Sequence, residues 1–418
     1  YGYTGENYRA GRSESTGEVS MKTIKAFAVS LLLCALTIVG LHLYSGRGFS
    51  AEGKAGTWVS DAKSQSGSTL KKMAADENAV LIFGSSELRH GQGSGFHGDT
   101  IFDGADMDPI YVGKAGYQSL THAITLGAVG SQAANKKAVL IVSPQWFKEN
   151  GVKSTAFEAA FSEEEYIALL ENPDISQETK DYINGRLQNI MADNETMSER
   201  VKKDREWYQP KDDNTAEQLG WLEQKKADFH KILLEEKNNY KVMAEALMDG
   251  ISNHRSKESG AKLSQATWEQ LRKEAETEGH KLSDGNDYGM FDSVYKGTYQ
   301  TLIANGKHKN PKYTLDSMEF SDLECFLSIC REEGIEPLVV ILPFNGYWYD
   351  YTELTAEERS TFYEKIRCIA EDYGVQCADL SGNEYTEYYF EDNSHPALKG
   401  LVDLNEAIYE FYRKDKTE

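Results

Sequence analysis

Three short runs of the chain are apolar throughout: 79–83 (AVLIF), 138–142 (AVLIV) and 337–342 (PLVVIL), each followed at once by Gly, Ser or Pro. A strand with one wet face alternates apolar and polar residues, so an unbroken aliphatic run of this length has to bury both faces. Strands of that kind belong to a parallel sheet covered by helices on each side. Sequence of helical period precedes such runs: within 316–333 (DSMEFSDLECFLSICREE), Leu323, Phe326, Leu327 and Cys330 share one helix face. Residues 375–380 (VQCADL) read as a further strand. The expected fold class is α/β, a doubly wound parallel sheet.

Residues 26–44 (AFAVSLLLCALTIVGLHLY) carry no charged side chain. As a helix they would span roughly 28 Å, close to the hydrocarbon thickness of about 30 Å. Lys22 and Lys25 stand just before the run, which places the rest of the chain outside the cell, although Arg47 and Lys54 weaken that bias. A cleaved signal peptide is the rival reading, but the run is long for one and no A-x-A site follows it. The organisation expected is an upstream extension over 1–20, ahead of a start at Met21, one N-terminal transmembrane anchor over 21–45, a Gly/Ser/Ala/Lys-rich linker over 46–75, and a catalytic domain over 76–418. Within that domain, about 148–287 turns to long, charged, helix-period sequence, such as 217–248 with Leu222, Phe229, Ile232 and Leu233 at helical spacing. This reads as a helical insertion that flanks the sheet, with Trp207, Trp221 and Trp268 as packing residues.

The 45 Lys and Arg are outnumbered by 67 Asp and Glu, a formal net charge of −22. That disfavours nucleic acid as a partner, and an anionic substrate would need a local basic patch or bound cations. Cys34 lies in the apolar run, while Cys325, Cys330, Cys368 and Cys377 could form two bridges or stay free. The cysteines and histidines have no zinc-type spacing, so no metal is expected, and no cofactor.

Chemistry concentrates at two places. Residues 83–88 (FGSSEL) follow the first aliphatic run directly, at the carboxyl end of a strand, where open α/β sheets bind ligands. Gly84 gives the turn its freedom, and Ser85 or Ser86 could present a hydroxyl. Near the other end of the chain stands 392–396 (DNSHP). Serine is a poor nucleophile until a base takes its proton, and a histidine base works best when a carboxylate fixes its tautomer; a D-x-x-H turn delivers both. Either motif alone is ordinary, a small-residue turn and a solvated loop histidine. Together, in the order Ser, Asp, His on such a sheet, they point to a Ser-His-Asp triad.

The arrangement resembles the SGNH (GDSL-type) hydrolase superfamily, in which a G-D-S-like turn carries the nucleophile and a C-terminal D-x-x-H completes the triad. Gly84-Ser85-Ser86 stands where that motif has G-D-S, which makes Ser86 the nucleophile and Ser85 the fallback, with His395 and Asp392 as the other catalytic residues. The G-x-S-x-G elbow of the other large α/β hydrolase fold is missing, because Leu88 occupies the place of its second glycine. Five longer segments, FGSSEL (83–88), GYQSLTHAITL (116–126), KKAVLIVSPQWF (136–147), LPFNGYWYDYT (342–352) and DNSHPALKG (392–400), resemble the DltD family, membrane-anchored proteins of teichoic-acid D-alanylation in Gram-positive bacteria.

That resemblance implies an SGNH-like sheet and outward-facing acyl chemistry, in which D-alanine ester is moved from a D-alanyl donor to lipoteichoic acid. It also implies partners: the membrane acyltransferase and small peptide of the pathway, and the carrier protein that supplies D-alanine. The superfamily's oxyanion donors map less directly. Gly116 takes the glycine's place, and the asparagine block is replaced by 143–146 (SPQW), which leaves Gln145 as amide donor, with a structural role the alternative for each. Trp146, Asn345, Trp348 and Tyr349 are expected to bind substrate beside the same sheet edge, with core packing the alternative for Trp348 and Tyr349. Two alternatives share these motifs: an esterase or thioesterase that removes acyl groups, and a scaffold that has given up catalysis.

Overall fold

The computed structural model describes residues 13–46, 48–149, 151–209, 220–251, 262–306, 310 and 312–414. Its centre is a five-stranded sheet of β1 (Ala79–Phe83), β2 (Asp108–Val112), β3 (Lys137–Val142), β4 (Glu336–Ile341) and β5 (Gln376–Asp379). The strands lie in the order β2-β1-β3-β4-β5, and every neighbouring pair is parallel.

The unbroken runs have the reason expected of them. Leu81, Phe83, Leu140, Val142, Val339 and Ile341 pack into one hydrophobic core, while their neighbours Val80, Ile82, Val139, Ile141, Leu338 and Val340 pack into another on the opposite face. The first core is closed by helices Gly67–Ala74, Ser119–Val129, Glu319–Glu332 and Ala356–Asp372, through Leu70 and Met73, Leu120 and Ile124, Phe326 and Ile329, Phe362 and Ile366. The second is closed by Trp268–Ser283 and Leu398–Arg413, through Leu271, Ala275, Leu401, Val402 and Ile408. The fold is therefore a three-layer α/β sandwich.

One strand, β2, is hidden in the sequence because it begins Asp-Pro, a turn signal. It lies at the sheet edge and pairs only with β1, with Pro109 opposite Val80, and an edge strand tolerates a residue that cannot donate to the ladder.

The linker expected over 46–75 is corrected by the structure. Its described part forms three helices, Lys54–Thr57, Asp61–Ser64 and Gly67–Ala74, and Ala51, Ala55, Leu70, Met73 and Ala74 belong to the main core. Lys63 is buried, its ammonium donating to the carbonyls of Ala55 at 3.1 Å and Gly56 at 2.6 Å, and burial holds its pKa well below the ordinary range. Small residues stand here because the backbone packs closely: a Cβ at Gly56 would lie 2.3 Å from the Pro109 carbonyl oxygen. A composition that suggests a flexible tether is in this case that of tight packing.

Helices Ser154–Ala160, Glu163–Glu171, Gln177–Ile190, Glu195–Tyr208, Trp221–Met248 and Trp268–Ser283 occupy the segment between β3 and β4, and further helix continues to Ala304. Trp207 and Trp268 pack against the cores, but Trp221 is 75% exposed. Leu222, Phe229, Ile232 and Leu233 also face outward, and their helix buries Ala227, Leu234, Val242 and Ala246 instead. The large apolar residues of this helix thus form its outer face, and Trp221 as a packing residue is a second correction.

The N-terminal helix runs Ser13–Ser45, and its stretch Met21–Ser45 has a mean hydropathy of 2.3 over its most apolar window, with none of that window buried. At roughly 37 Å it is long enough to cross a bilayer. The five cysteines are all free, with Cys325 and Cys330 buried.

Because 48–75 is part of the core, Met73→Ala should destabilise the chain by about 2–5 kcal/mol. Urea unfolding of the full chain in detergent checks this. A change within about 0.5 kcal/mol, as a tether position would give, would restore the linker reading.

Candidate active site

The sheet hydrogen bonding continues one residue past β1, where the Gly84 N–H donates to the Val112 carbonyl at 3.1 Å. The chain then turns into a short helix, Ser86–Leu88. Two glycines permit the turn. A Cβ at Gly84 would lie 2.6 Å from the Glu87 carboxylate, and one at Gly113, where φ is 125°, would lie 2.0 Å from the Gly84 carbonyl oxygen. The buried Glu87 folds back beneath the turn and accepts the Ser85 N–H at 2.5 Å.

This geometry separates the two serines. Ser85 is 5% exposed, and its hydroxyl accepts the Gly116 N–H at 3.3 Å and donates to the Lys114 carbonyl at 3.4 Å, pinning the loop after β2. Ser86 Oγ lies 2.7 Å from His395 Nε2. The imidazole continues to Asp392, with Nδ1 2.7 Å from Oδ2. The other carboxylate oxygen of Asp392 accepts the backbone N–H groups of Ser394 and His395, each at 2.8 Å, so one side chain closes the D-x-x-H turn and orients the ring. Backbone pairing between Glu391 and His395 at 2.9 Å, and a bridge from Phe390 to Pro396, fix the loop's base.

Burial is the largest single effect on His395 and pushes its pKa down, but the hydrogen bond and charge of Asp392, with the charges of Glu87 and Glu391, outweigh it. The result is a pKa above the ordinary histidine value of 6.5. Asp392 mirrors this: burial raises its pKa, and the hydrogen bond and charge of His395 with the two backbone donors bring it below the ordinary range. Burial raises the pKa of Glu87. His90 stacks on His395 with ring centroids 3.7 Å apart and planes 12° from parallel, while its Nδ1 lies 3.0 Å from Glu391.

Of the residues singled out in the sequence, Ser86, His395 and Asp392 come together. Gly116 lies alongside, and its N–H is given to the Ser85 hydroxyl. The backbone N–H of Ser86 makes no hydrogen bond among the described residues. Gln145 gives an amide N–H to the Tyr349 hydroxyl at 2.7 Å, and that hydroxyl is also 3.4 Å from the Asn393 amide next to Asp392. Gln145 is thus tied to the site through two intermediaries.

The four residues expected to bind substrate lie in the packed interior. Trp146, Asn345, Trp348 and Tyr349 are all buried, so they have little surface to offer a ligand. Asn345 donates to the carbonyls of Tyr288 at 2.9 Å and Asp392 at 3.2 Å and accepts the Trp348 N–H at 3.1 Å, which makes it a support for the histidine loop. Trp348 packs edge-on against Tyr299 and Tyr288, and Trp146 sits near His122. Aromatic residues just past a strand end look the same in sequence whether they line a cleft or floor it. The reasoning from sequence missed Glu87, His90 and Glu391; the only signal was their nearness in the chain to Ser86 and Asp392.

The family model described as DltD protein matches residues 56–413. Among curated relatives, Protein DltD of Bacillus subtilis (strain 168) is 32% identical over 351 residues, 82% of this chain and 85% of the relative. Protein DltD of Staphylococcus aureus (strain NCTC 8325 / PS 47) is 26% identical over 336 residues, 78% and 79% of the two chains. Protein DltD of Lacticaseibacillus rhamnosus is 25% identical over 410 residues, 92% and 89%. The match covers the whole sheet, the serine turn and the histidine loop, and on that extent the chain belongs to the DltD family.

Proposed function

We propose that this protein is a membrane-anchored, extracytoplasmic serine acyltransferase that takes part in D-alanine ester transfer to lipoteichoic acid. The observation that carries the reading is the continuous pair of 2.7 Å hydrogen bonds from Ser86 through His395 to Asp392. Family membership, with the role in teichoic-acid D-alanylation that the resemblance implies, supplies the substrate class.

In the first step His395 Nε2 takes the Ser86 proton as Oγ bonds to the acyl carbon of the D-alanyl donor. The oxyanion forms beside the free N–H of Ser86. Collapse breaks the bond from the acyl carbon to the donor's heteroatom, which leaves with the proton from His395, and a D-alanyl ester remains on Ser86. An acceptor hydroxyl then gives its proton to His395, attacks the same carbon and releases Ser86, which regains that proton. Asp392 keeps Nδ1 protonated and stabilises the imidazolium in both steps. The charges of Glu87 and Glu391 favour the same cation.

Ser86→Ala should remove acyl transfer by at least ~10³-fold while the chain stays folded. A serine-reactive fluorophosphonate should label Ser86. Labelling at Ser85 instead, or full activity in a folded Ser86→Ala chain, would defeat the triad. Turnover of a model D-alanyl ester with and without teichoic acid separates transfer from hydrolysis, and the transferase reading requires product on the acceptor.

The pH dependence follows from the sign of the histidine shift. The base must be neutral, and a raised pKa favours its protonated form, so kcat/KM should fall as pH drops through a midpoint above 6.5. Asp392→Asn removes the largest of the effects that raise the His395 pKa and leaves the charges of Glu87 and Glu391, so the midpoint should move to lower pH and the plateau should drop by up to ~10⁴-fold. A midpoint that stays put in Asp392→Asn would show that another group limits the rate.

A further inference from the structure

A cavity of about 500 Å³ opens beside the serine turn. Gly116 lines it and joins it to the site, because its N–H is the one bound to the hydroxyl of Ser85, the residue next to Ser86. The volume falls in the range of small-molecule sites, about 300–1,000 Å³.

Its charge runs against the rest of the molecule. In a chain of formal charge −22, the wall carries Lys148, Lys153 and Lys312 against one carboxylate, that of Glu149. Glu149 is paired with Lys312. Lys148 and Lys153 have no partner among the described residues, and Lys148 is half-buried. Burial and then the charge of Lys153 hold the Lys148 pKa below its ordinary value, so each ammonium is felt by the other. Two lysines without a carboxylate partner in the wall of one cavity are suited to an anion.

The remaining wall narrows the ligand. Gln118 has a buried side-chain oxygen with no hydrogen-bond partner, an acceptor suited to a hydroxyl. Val152 and Ala156 offer an apolar surface to short carbon segments. Cations for a phosphate, an acceptor for a hydroxyl and an apolar strip together match a polyol phosphodiester.

We propose that this cavity is the acceptor subsite, in which Lys148 and Lys153 hold one phosphodiester of a polyol-phosphate chain while a neighbouring hydroxyl passes Gly116 to reach the acyl group on Ser86. The proposal rests on the acyl-transfer reading and adds the place and the residues that recognise the acceptor. The step it serves is the second one above: the hydroxyl oxygen bonds to the acyl carbon, the Ser86 ester bond breaks, and His395 passes the hydroxyl proton to Ser86.

The test is calorimetric titration of the full chain in detergent with glycerophosphoglycerol, two glycerols joined by one phosphodiester. The wild type should bind it, more weakly as salt rises. Lys148→Ala/Lys153→Ala should weaken binding by about tenfold or more. Lys148→Arg/Lys153→Arg, which keeps both charges, should stay within about threefold and guards against misfolding of the alanine pair. Lys225→Ala/Lys226→Ala makes the same change in net charge on an exposed helix and should leave the affinity unchanged. No binding by the wild type, equal affinity in the Lys148/Lys153 alanine variant, equal loss in the Lys225/Lys226 control, or equal affinity for inorganic phosphate would each overturn the proposal. Fluorophosphonate labelling of wild-type Ser86 is read separately: its failure removes the catalytic reading, whereas the titration decides the cavity by itself.

Discussion

The carboxylate of Asp392 is the point on which the site's geometry turns. One oxygen closes the loop by accepting the N–H groups of Ser394 and His395, and the other holds the imidazole in the tautomer that aims Nε2 at Ser86. The spacing D-x-x-H follows from this double use: two intervening residues bring both the backbone donors and the ring to one side chain. Asn345, just past β4, ties the backbone of Asp392 to the sheet. The serine turn leaves β1, and Gly84 and Gly113 hold it against the exit of β2. The constellation is thus assembled from strand ends, which rigid packing on both sheet faces keeps in place.

The same arrangement sets the electrostatics. Glu87 serves the turn by accepting the Ser85 N–H, and its burial beneath the site also places a carboxylate where an imidazolium develops. His90 covers the open face of the His395 ring and is itself held by Glu391. The ring is therefore fixed by a hydrogen bond at each nitrogen and by stacking on one face. A ring held this way has little orientational freedom left to lose.

What the sequence made legible, and what it concealed, has physical reasons. Unbroken aliphatic runs report burial on both faces, so β1, β3 and β4 could be read directly. The edge strand β2 could not, because an edge relaxes the rule that proline violates. The meeting of Ser86 with His395 and Asp392 was legible because a turn after a strand and a D-x-x-H loop are each local signals with a fixed geometry. Burial of Trp146, Asn345, Trp348 and Tyr349 was not, since whether an aromatic lines or floors a cleft depends on contacts far along the chain, such as Tyr288 and Tyr299 on Trp348. Residues 48–75 misled for a related reason: small residues serve a flexible tether and a close-packed backbone equally well. On helix Trp221–Met248 the large apolar residues share a face, and the protein buries the other one, lined with Ala227, Leu234, Val242 and Ala246.

The charge distribution bears on how such a protein meets its substrates. At physiological ionic strength exposed charges more than about 8 Å apart are largely screened, so a formal charge of −22 spread over the surface repels a polyanion at long range only weakly. What decides binding is the sign of the charge within a few ångströms of the contact. Around His395 the nearby charges are carboxylates, Glu87, Glu391 and Asp392, which favour a cation such as the imidazolium or the ammonium of a D-alanyl group. The cavity that Gly116 lines has Lys148 and Lys153 in its wall. The two environments are linked through Gly116, whose N–H is bound to the Ser85 hydroxyl.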